Sequence, residues 1–292
     1  MKLATFRQQG RLVLGLVTED GLIDVERADA SLPRTLRSLL EAGPEALVAL
    51  RRLATRSGPR VDMRDTVLAA PIGEPRKFLG LGFSYRSHVA EIRERRKDIQ
   101  IPPNQVWFTK QVSCINGPFD PIHKPAISDM LDYEGEMAVV IGRRCRHVRA
   151  AEAHEVIAGY MVCNDVSVRD WQLRSPTATL GKSFDTHGPT GPWLTLADEV
   201  ENPEHLGLKT WVNGELRQNG NTSDFIYSLG QMLEELTTVL TLEPGDILTT
   251  GSPGGVGAAA VPPRYLKVGD VIRIEIECLG AIENRVIAEP PH

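Results

Sequence analysis

The stretch LDYEGEMAVVIG, residues 131–142, places the strongest constraint on how this chain can fold. Its apolar run at 138–141 is typical of a buried strand. Side chains alternate between the two faces of a strand, so Glu134 and Glu136 lie on the same face, and Asp132 shares their alternation. Adjacent carboxylates repel each other and lose hydration on burial. The fold must therefore supply a compensating positive charge.

The composition is that of an ordinary globular protein. The chain has 292 residues, 41% of them hydrophobic and 24% charged, with a formal net charge of −5. This length suits one large domain with a small one. The densest basic stretch, 93–98, is interleaved with acids, which favours a solvated helix face or loop over a nucleic-acid site. No apolar run approaches the roughly 20 residues that span a bilayer, so we expect no membrane partner.

The cysteines and the first residues point to a reducing compartment. The four cysteines have no CxxC spacing, so neither a zinc site nor a disulfide framework is expected. Reduced thiols favour a cytoplasmic location. Residues 1–17 are interrupted by charged and polar side chains and lack the continuous apolar segment of a signal peptide.

The first 70 residues are predicted to form a small α+β domain. Short strands are expected over 1–25, with a turn at 19–21. Two short helices should follow, the first ended by Gly43 and the second begun by Pro44. The polar stretch 55–65 is the candidate linker to the second domain, 71–292.

The second domain is predicted to consist mainly of strands. Asn213-Gly214 favours a tight hairpin, and a second hairpin should turn at Leu279-Gly280. One helix is expected over 150–158, and another should begin at Ser228 with a capping box and end before Pro244. The absence of a βαβ rhythm favours a β-rich α+β fold, a mixed β-sandwich roll, over a Rossmann sheet. The predicted strands are 76–82, 105–109, 136–142, 160–166, 208–212, 215–218, 246–250, 270–278 and 282–288.

A third acid could complete a cation site with the first two. Asp165 follows the apolar strand YMVC and lies at its end, where loops carry functional groups. Carboxylate oxygens suit magnesium, manganese and calcium. Glu134, Glu136 and Asp165 could therefore hold a divalent ion. Spacing alone leaves open the alternative that these acids form salt bridges or are exposed.

Three further stretches carry reactive groups. His88 and Glu91 are spaced i, i+3, so on a helix a carboxylate would lie beside an imidazole and could raise its basicity; a surface pair is the alternative. Lys182 precedes a turn-rich stretch and could bind an oxyanion. The glycines of LTTGSPGGVG, 248–257, would let backbone N–H groups approach an anion.

Taken together, these stretches resemble the fumarylacetoacetate hydrolase family, in its short form with a small N-terminal domain. The resemblance covers about 78–286. The matching stretches, in chain order, are GLGFSYRSHVAE, DYEGEMAVVIG, GYMVCNDVSVRDWQ, GKSFDTHGPTGPW, VNGELRQNGNTSDFIYS, LEPGDILTTGSPGGVG and LKVGDVIRIEIECLGAIENRV.

The resemblance implies a mixed β-sandwich roll, a homodimer, and magnesium or manganese, with calcium possible in a crystal. The implied metal ligands are Glu134, Glu136 and Asp165. The implied catalytic residues are His88 and Glu91, carried by a mobile lid (88–104), and Lys182. The implied substrate contacts are Arg169, Gln172 and Thr250.

The implied activity is metal-dependent hydrolysis of a carbon–carbon bond in an acylpyruvate-type 2,4-diketo acid, with release of pyruvate, in aromatic or sugar-acid catabolism. Oxaloacetate decarboxylation and isomerisation of a 2-hydroxy-dienoate use the same metal centre and stay open, as does a non-catalytic binding protein.

Two departures from the family pattern affect the substrate pocket. Ser84 stands where the family usually has Asn, and Thr109-Lys110 stands in a stretch that often reads FLKP.

Overall fold

The computed structural model describes residues 1–55, 60–95 and 102–291. The predicted linker 55–65 and the predicted lid 88–104 lie partly outside these residues, as does the basic stretch 93–98. The strands are β1 Lys2–Gln8, β2 Arg11–Thr18, β3 Gly21–Asp24, β4 Val67–Ala69, β5 Phe78–Gly82, β6 Val106–Lys110, β7 Ile115–Asn116, β8 Ile122–Lys124, β9 Leu131–Asp132, β10 Gly135–Ile141, β11 Ile157–Asn164, β12 Ser167–Val168, β13 Gly188–Leu196, β14 Gly207–Val212, β15 Glu215–Asn221, β16 Ile247–Thr249, β17 Val271–Ile276 and β18 Gly280–Ala288. The helices are α1 Val25–Ala28, α2 Leu36–Glu41, α3 Pro44–Ala54, α4 Arg86–Arg95, α5 Arg169–Gln172 and α6 Leu229–Val239.

Two large sheets dominate the described part of the chain. The first has eleven strands, in the order β3-β2-β1-β13-β11-β10-β16-β5-β6, with β4 paired to β1 and β7 to β13. The second has five strands, in the order β15-β14-β17-β18-β8, and β9 pairs with β12. Most pairs are antiparallel, but β16 runs parallel to β5, β13 to β7, and β18 to β8. This confirms the predicted mixed, β-rich α+β fold, and all nine predicted strands occur.

Strand β10 is buried on both faces, which explains its nearly continuous apolar run. Met137, Val139 and Ile141 pack in one core with residues of β14, β17 and β18 from the five-stranded sheet. Ala138 and Val140 belong to a second core that includes the leucines of α2 and α3. The eleven-stranded sheet is therefore covered by the second sheet on one face and by N-terminal helices on the other.

The N-terminal strands extend the large sheet. Strand β1 pairs with β13, with Lys2 opposite Thr195. Hydrogen bonding is thus continuous across the predicted domain boundary at residue 70, and the division into two domains stays a prediction. The helix pair of this region follows its local signals, because Gly43 has φ 81° and Pro44 opens α3. None of the described helices combines the length and apolarity needed to cross a membrane.

Three local predictions were wrong. The helix expected over 150–158 is a 3-10 helix, Ala150–Glu155, and the chain then enters β11. Strand β13 was missed because its prolines argue against a strand. Its pairing with β11 shifts register between Tyr160 and Val162, and this shift accommodates Pro192. The last hairpin turns at 277–279 rather than at 279–280, because Ile276 pairs with Gly280.

Helix α6 begins with the predicted capping box. The Ser228 hydroxyl accepts from the backbone N–H of Gln231 at 3.2 Å, and the Ser228 backbone N–H donates to the Gln231 side chain at 2.8 Å. These reciprocal bonds satisfy two of the N–H groups that a helix start leaves without partners.

We expect Ser228→Ala to lower the free energy of unfolding by about 1 kcal/mol, since it removes the cap but no buried surface. Urea unfolding followed by circular dichroism would measure the change. Thr238→Ala in the same helix is the control. Among the residues that the structure describes, the Thr238 hydroxyl bonds the Glu234 carbonyl alone, so its removal should cost less. Equal losses from the two variants would contradict the capping role.

Candidate metal centre

The register of β10 and β11 brings the three predicted ligands together. Gly135 lies opposite Asn164, so the residues that flank this pair meet across the ladder. The backbone N–H of Asp165 donates to the Glu134 carbonyl at 2.9 Å. One carboxylate oxygen from each of Glu134, Glu136 and Asp165 lies within 4.8 Å of the others, and all three residues are buried. The alternation in the sequence and the strand pairing thus form one carboxylate cluster.

Buried lysines compensate two of these carboxylates. Lys182 Nζ lies 2.6 Å from Glu134 Oε2 and 2.6 Å from Asp165 Oδ2. Lys110 Nζ lies 2.6 Å from Asp165 Oδ1 and also donates to the Lys182 carbonyl. Both side chains are almost entirely buried. Asp165 is therefore bound by an ammonium group at each oxygen.

Arg169 connects Glu134 to a fourth buried carboxylate, that of Asp132. Its Nη1 donates to Glu134 Oε1 at 2.6 Å, while Nε and Nη2 donate to Asp132 Oδ2 at 2.9 and 2.7 Å. Asp132 also accepts from the backbone N–H groups of Gly257 and Ala258, each at 2.8 Å. Asp132 thus lies behind Glu134 and orients Arg169.

Glu134, directly before β10, and Glu136, within it, have opposite electrostatic environments. Burial acts to raise the pKa of Glu134, but Lys182 and Arg169 outweigh it and hold that pKa well below its usual value. The pKa of Glu136 is raised well above its usual value by burial and by the charges of Asp165 and Glu134. Glu136 accepts the Gly251 N–H at 2.8 Å. Within the described ranges, no lysine or arginine forms an ion pair with Glu136.

The excess of buried carboxylates over cationic side chains fits a hard divalent cation. Four buried carboxylates cluster with two buried lysines and the partly buried Arg169, and the carboxylate without an ion pair faces two others. Buried charges need pairing or a metal ion, and carboxylate oxygens are the donors that magnesium, manganese and calcium prefer. The donor set in this structure therefore suits such an ion.

Helix α4 carries His88 and Glu91, the histidine and carboxylate predicted to act together as a general base. His88 Nδ1 lies 3.5 Å from Glu91 Oε2, which is longer than a normal hydrogen bond. The loop 251–255 joins this helix to the carboxylate cluster, because Gly251 at one end of it donates to Glu136. The Glu91 carboxylate accepts the Gly255 N–H at 3.1 and 3.2 Å. The structure thus brings the start of the predicted lid to the cluster.

The predicted substrate contacts differ in their placement. Arg169 Nη1 donates to the Gln172 side chain at 3.0 Å, so these two lie together beside Glu134. The hydroxyl and the N–H of Thr250 both donate to the Met137 carbonyl, at 2.9 and 3.1 Å. In this arrangement Thr250 has no free donor for a substrate carboxylate, and its contact stays a prediction.

The glycine-rich stretch 248–257 binds anions, but they are carboxylates of the protein itself. Its N–H groups at Gly251, Gly255 and Gly257 donate to Glu136, Glu91 and Asp132, respectively. Gly251 has φ 86°, and a Cβ there would lie 1.8 Å from Ser84 Oγ. The Ser84 hydroxyl donates to the Thr250 carbonyl at 2.6 Å and so holds this turn against the strand that precedes α4.

The sequence alone does not identify Lys110 as a site residue. Against the family pattern it marks only a departure in a pocket-lining stretch, whereas the structure places its ammonium group on Asp165. The one local signal was a lysine that closes the apolar strand VWFTK. A lysine at a strand end is usually exposed, so this signal alone could not have identified a buried ion pair.

Comparisons with known proteins identify the family of this chain. Residues 77–287 match the family described as fumarylacetoacetate (FAA) hydrolase C-terminal. The chain is 38% identical to the mitochondrial oxaloacetate tautomerase Fahd2a of Rattus norvegicus, over 91% of this chain and 84% of that protein. Since that relative is mitochondrial, the cytoplasmic location stays a prediction.

Two solved structures with different activities share the whole fold. The maleylpyruvate hydrolase from Sphingobium sp. SYK-6, solved with manganese(II) and pyruvate, is 31% identical with a TM-score of 0.82, over 99% of this chain and 100% of that chain. The 5-carboxymethyl-2-hydroxymuconate delta-isomerase from Mycobacterium smegmatis is 30% identical with a TM-score of 0.77, over 100% of both chains. Because the family match spans 77–287 and the rat relative is 38% identical over 91% of the chain, this chain belongs to the fumarylacetoacetate hydrolase family.

Proposed function

We propose that this chain is a metal-dependent enzyme that interconverts the enol and keto forms of oxaloacetate or a closely related 2-oxo dicarboxylic acid. The observation that carries the proposal is the 38% identity, over 91% of the chain, to an oxaloacetate tautomerase. The site geometry supports it, because a cluster of carboxylates and lysines beside an imidazole can hold an anionic substrate and move a proton. We also propose that it acts as a homodimer in the cytoplasm.

Glu134, Glu136 and Asp165 would hold magnesium or manganese. When bound, such an ion acts as a Lewis acid on a 2-oxo acid. A relative of similar fold contains manganese(II), which supports this choice of metal. Arg169 and Gln172 are available to orient the substrate beside Glu134, and Lys182 can stabilise negative charge that develops on the substrate oxygen.

His88 is the group that we assign to proton transfer. Its Nδ1 faces Glu91, so Nε2 is the nitrogen available to the substrate. In the enol-to-keto direction, the 2-hydroxyl O–H bond breaks, a C–H bond forms at C3, and the C2=C3 double bond becomes C2=O. His88 Nε2 would accept the proton from the 2-hydroxyl and pass it to C3, so the imidazole ends in its starting form, and Glu91 would steady the imidazole. This exchange needs no attacking water.

Hydrolysis of an acylpyruvate is the second candidate. The same imidazole could deprotonate a water molecule, and the manganese-bound relative with a TM-score of 0.82 is a maleylpyruvate hydrolase that was solved with pyruvate. We place hydrolysis second because the oxaloacetate tautomerase is 38% identical to this chain and the maleylpyruvate hydrolase is 31% identical.

Binding of manganese(II) should release a proton and strengthen as pH rises. The raised pKa of Glu136 means that this carboxyl holds a proton over a pH range in which an ordinary glutamate does not. A cation needs the ionised form, so protons compete with it as pH falls. Calorimetric titration of the metal-free chain in two buffers with different ionisation enthalpies measures this release. Equal heats in both buffers would contradict it.

His88→Ala should lower turnover roughly 10²- to 10⁴-fold while manganese affinity is unchanged, because the variant removes proton transfer but no ligand. Glu134→Gln should lose both turnover and tight metal binding. His205→Ala, which changes an exposed histidine far from this chemistry, is the control for a general effect of losing an imidazole. A fully active His88→Ala enzyme would disprove the assignment of His88.

A substrate panel would distinguish the candidate activities. With magnesium or manganese, we expect rapid loss of the enol absorbance of oxaloacetate, and EDTA should abolish this catalysis. Pyruvate release from maleylpyruvate, carbon dioxide release from oxaloacetate and isomerisation of 5-carboxymethyl-2-hydroxymuconate should be much slower. Pyruvate release without tautomerisation would establish the hydrolase instead. No turnover of any of these compounds would favour a non-catalytic binding protein.

A further inference from the structure

Lys110 is a buried cation that the proposed chemistry does not use. It ends β6, a strand otherwise composed of Val, Trp, Phe and Thr, and its side chain is fully buried. Its Nζ lies 5.8 Å from the centroid of the Phe78 ring, which belongs to the residue opposite it on β5. Removing an ammonium group from water is costly, so this position requires strong compensating contacts.

Those contacts join two separate parts of the candidate metal centre. Lys110 Nζ lies 2.6 Å from Asp165 Oδ1, at the end of β11, and it also donates to the backbone carbonyl of Lys182. Lys182 Nζ in turn lies 2.6 Å from Asp165 Oδ2. Asp165 is thus fixed at both oxygens, and Lys182 is fixed at both its backbone and its side chain.

We propose that Lys110 is a positioning residue of the metal centre. By holding Asp165 Oδ1, it sets the rotation of the carboxylate and leaves Oδ2 on the side of Glu134. By holding the Lys182 carbonyl, it fixes the 3-10 turn Thr179–Lys182 that presents the Lys182 ammonium group. This inference rests on the proposed metal-dependent function and extends it to a residue that touches neither substrate nor metal.

Two opposing effects decide what the loss of Lys110 does to metal affinity. The positive charge of Lys110 repels a nearby cation, so its removal alone would strengthen binding. Its removal also frees Asp165 to rotate, and partners that orient a metal ligand are typically worth a factor of about 10 to 100 in affinity. Asp165 is completely buried, so bulk water has no access to replace the lost contact. We therefore expect orientation to dominate.

The test is manganese(II) binding to the full-length, metal-free chain, measured by calorimetry and independent of any turnover. Lys110→Met keeps most of the side-chain volume without the charge, and its Kd for manganese should rise roughly 10- to 100-fold. Lys110→Gln retains a donor without the charge and should show a smaller rise. If Lys110→Met does not fold, the Kd of Lys110→Gln decides the question by the same criterion.

Lys77→Met is the matched control. Lys77 Nζ lies 3.0 Å from the buried carboxylate of Asp246, so this variant also breaks an ion pair with a buried aspartate, but outside the carboxylate cluster. It should lower the Tm and leave the manganese Kd unchanged. An unchanged or lower Kd in folded Lys110→Met or Lys110→Gln, or an equal rise in Lys77→Met, would overturn the inference. Because no substrate is involved, failure of the tautomerase assay would not affect this result.

Discussion

The balance of charge inside the eleven-stranded sheet is the constraint on which the site depends. Carboxylates buried in a low-dielectric interior are costly unless each finds a positive partner. Here the partners come from β6, from α5 and from the turn before β13, and β6 is far from the other two in sequence. The fold can bury Glu134 and Asp165 only if these elements assemble together. The site and the fold are therefore specified by the same contacts.

Backbone N–H groups provide the rest of the compensation. The stretch 248–257 contributes donors to Glu136, Glu91 and Asp132 without adding another charged side chain. A lysine on Glu136 would compete with a metal ion, whereas a neutral N–H orients the carboxylate and leaves it able to bind one. The use of neutral N–H donors at Glu136 explains why glycines lie at the cluster. They allow the main chain to approach a carboxylate on which a cationic side chain would reduce affinity for a metal ion.

Local signals are sufficient for much of the fold and for the three clustered carboxylates. Alternation predicted the strands, Asn213-Gly214 predicted a hairpin, and Ser228 predicted the start of α6. Glu134 and Glu136 were apparent because two charges on one face of an apolar strand are unusual. Local sequence signals could not predict contacts between residues that are distant in sequence. Lys110 and Asp165 are 55 positions apart, and nothing in the sequence around either one indicates the other.

The N-terminal region, which carries no evident chemistry, contributes to the site through packing. Glu134 and Glu136 have the same strand parity as Ala138 and Val140, so the carboxylates occupy one end of a sheet face whose other end is apolar. The leucines of α2 and α3 pack in the same core as Ala138 and Val140. These helices exclude water from the apolar end of that face, while lysines and an arginine compensate its polar end. A region that supplies no ligand thus helps to bury the strand that carries Glu136.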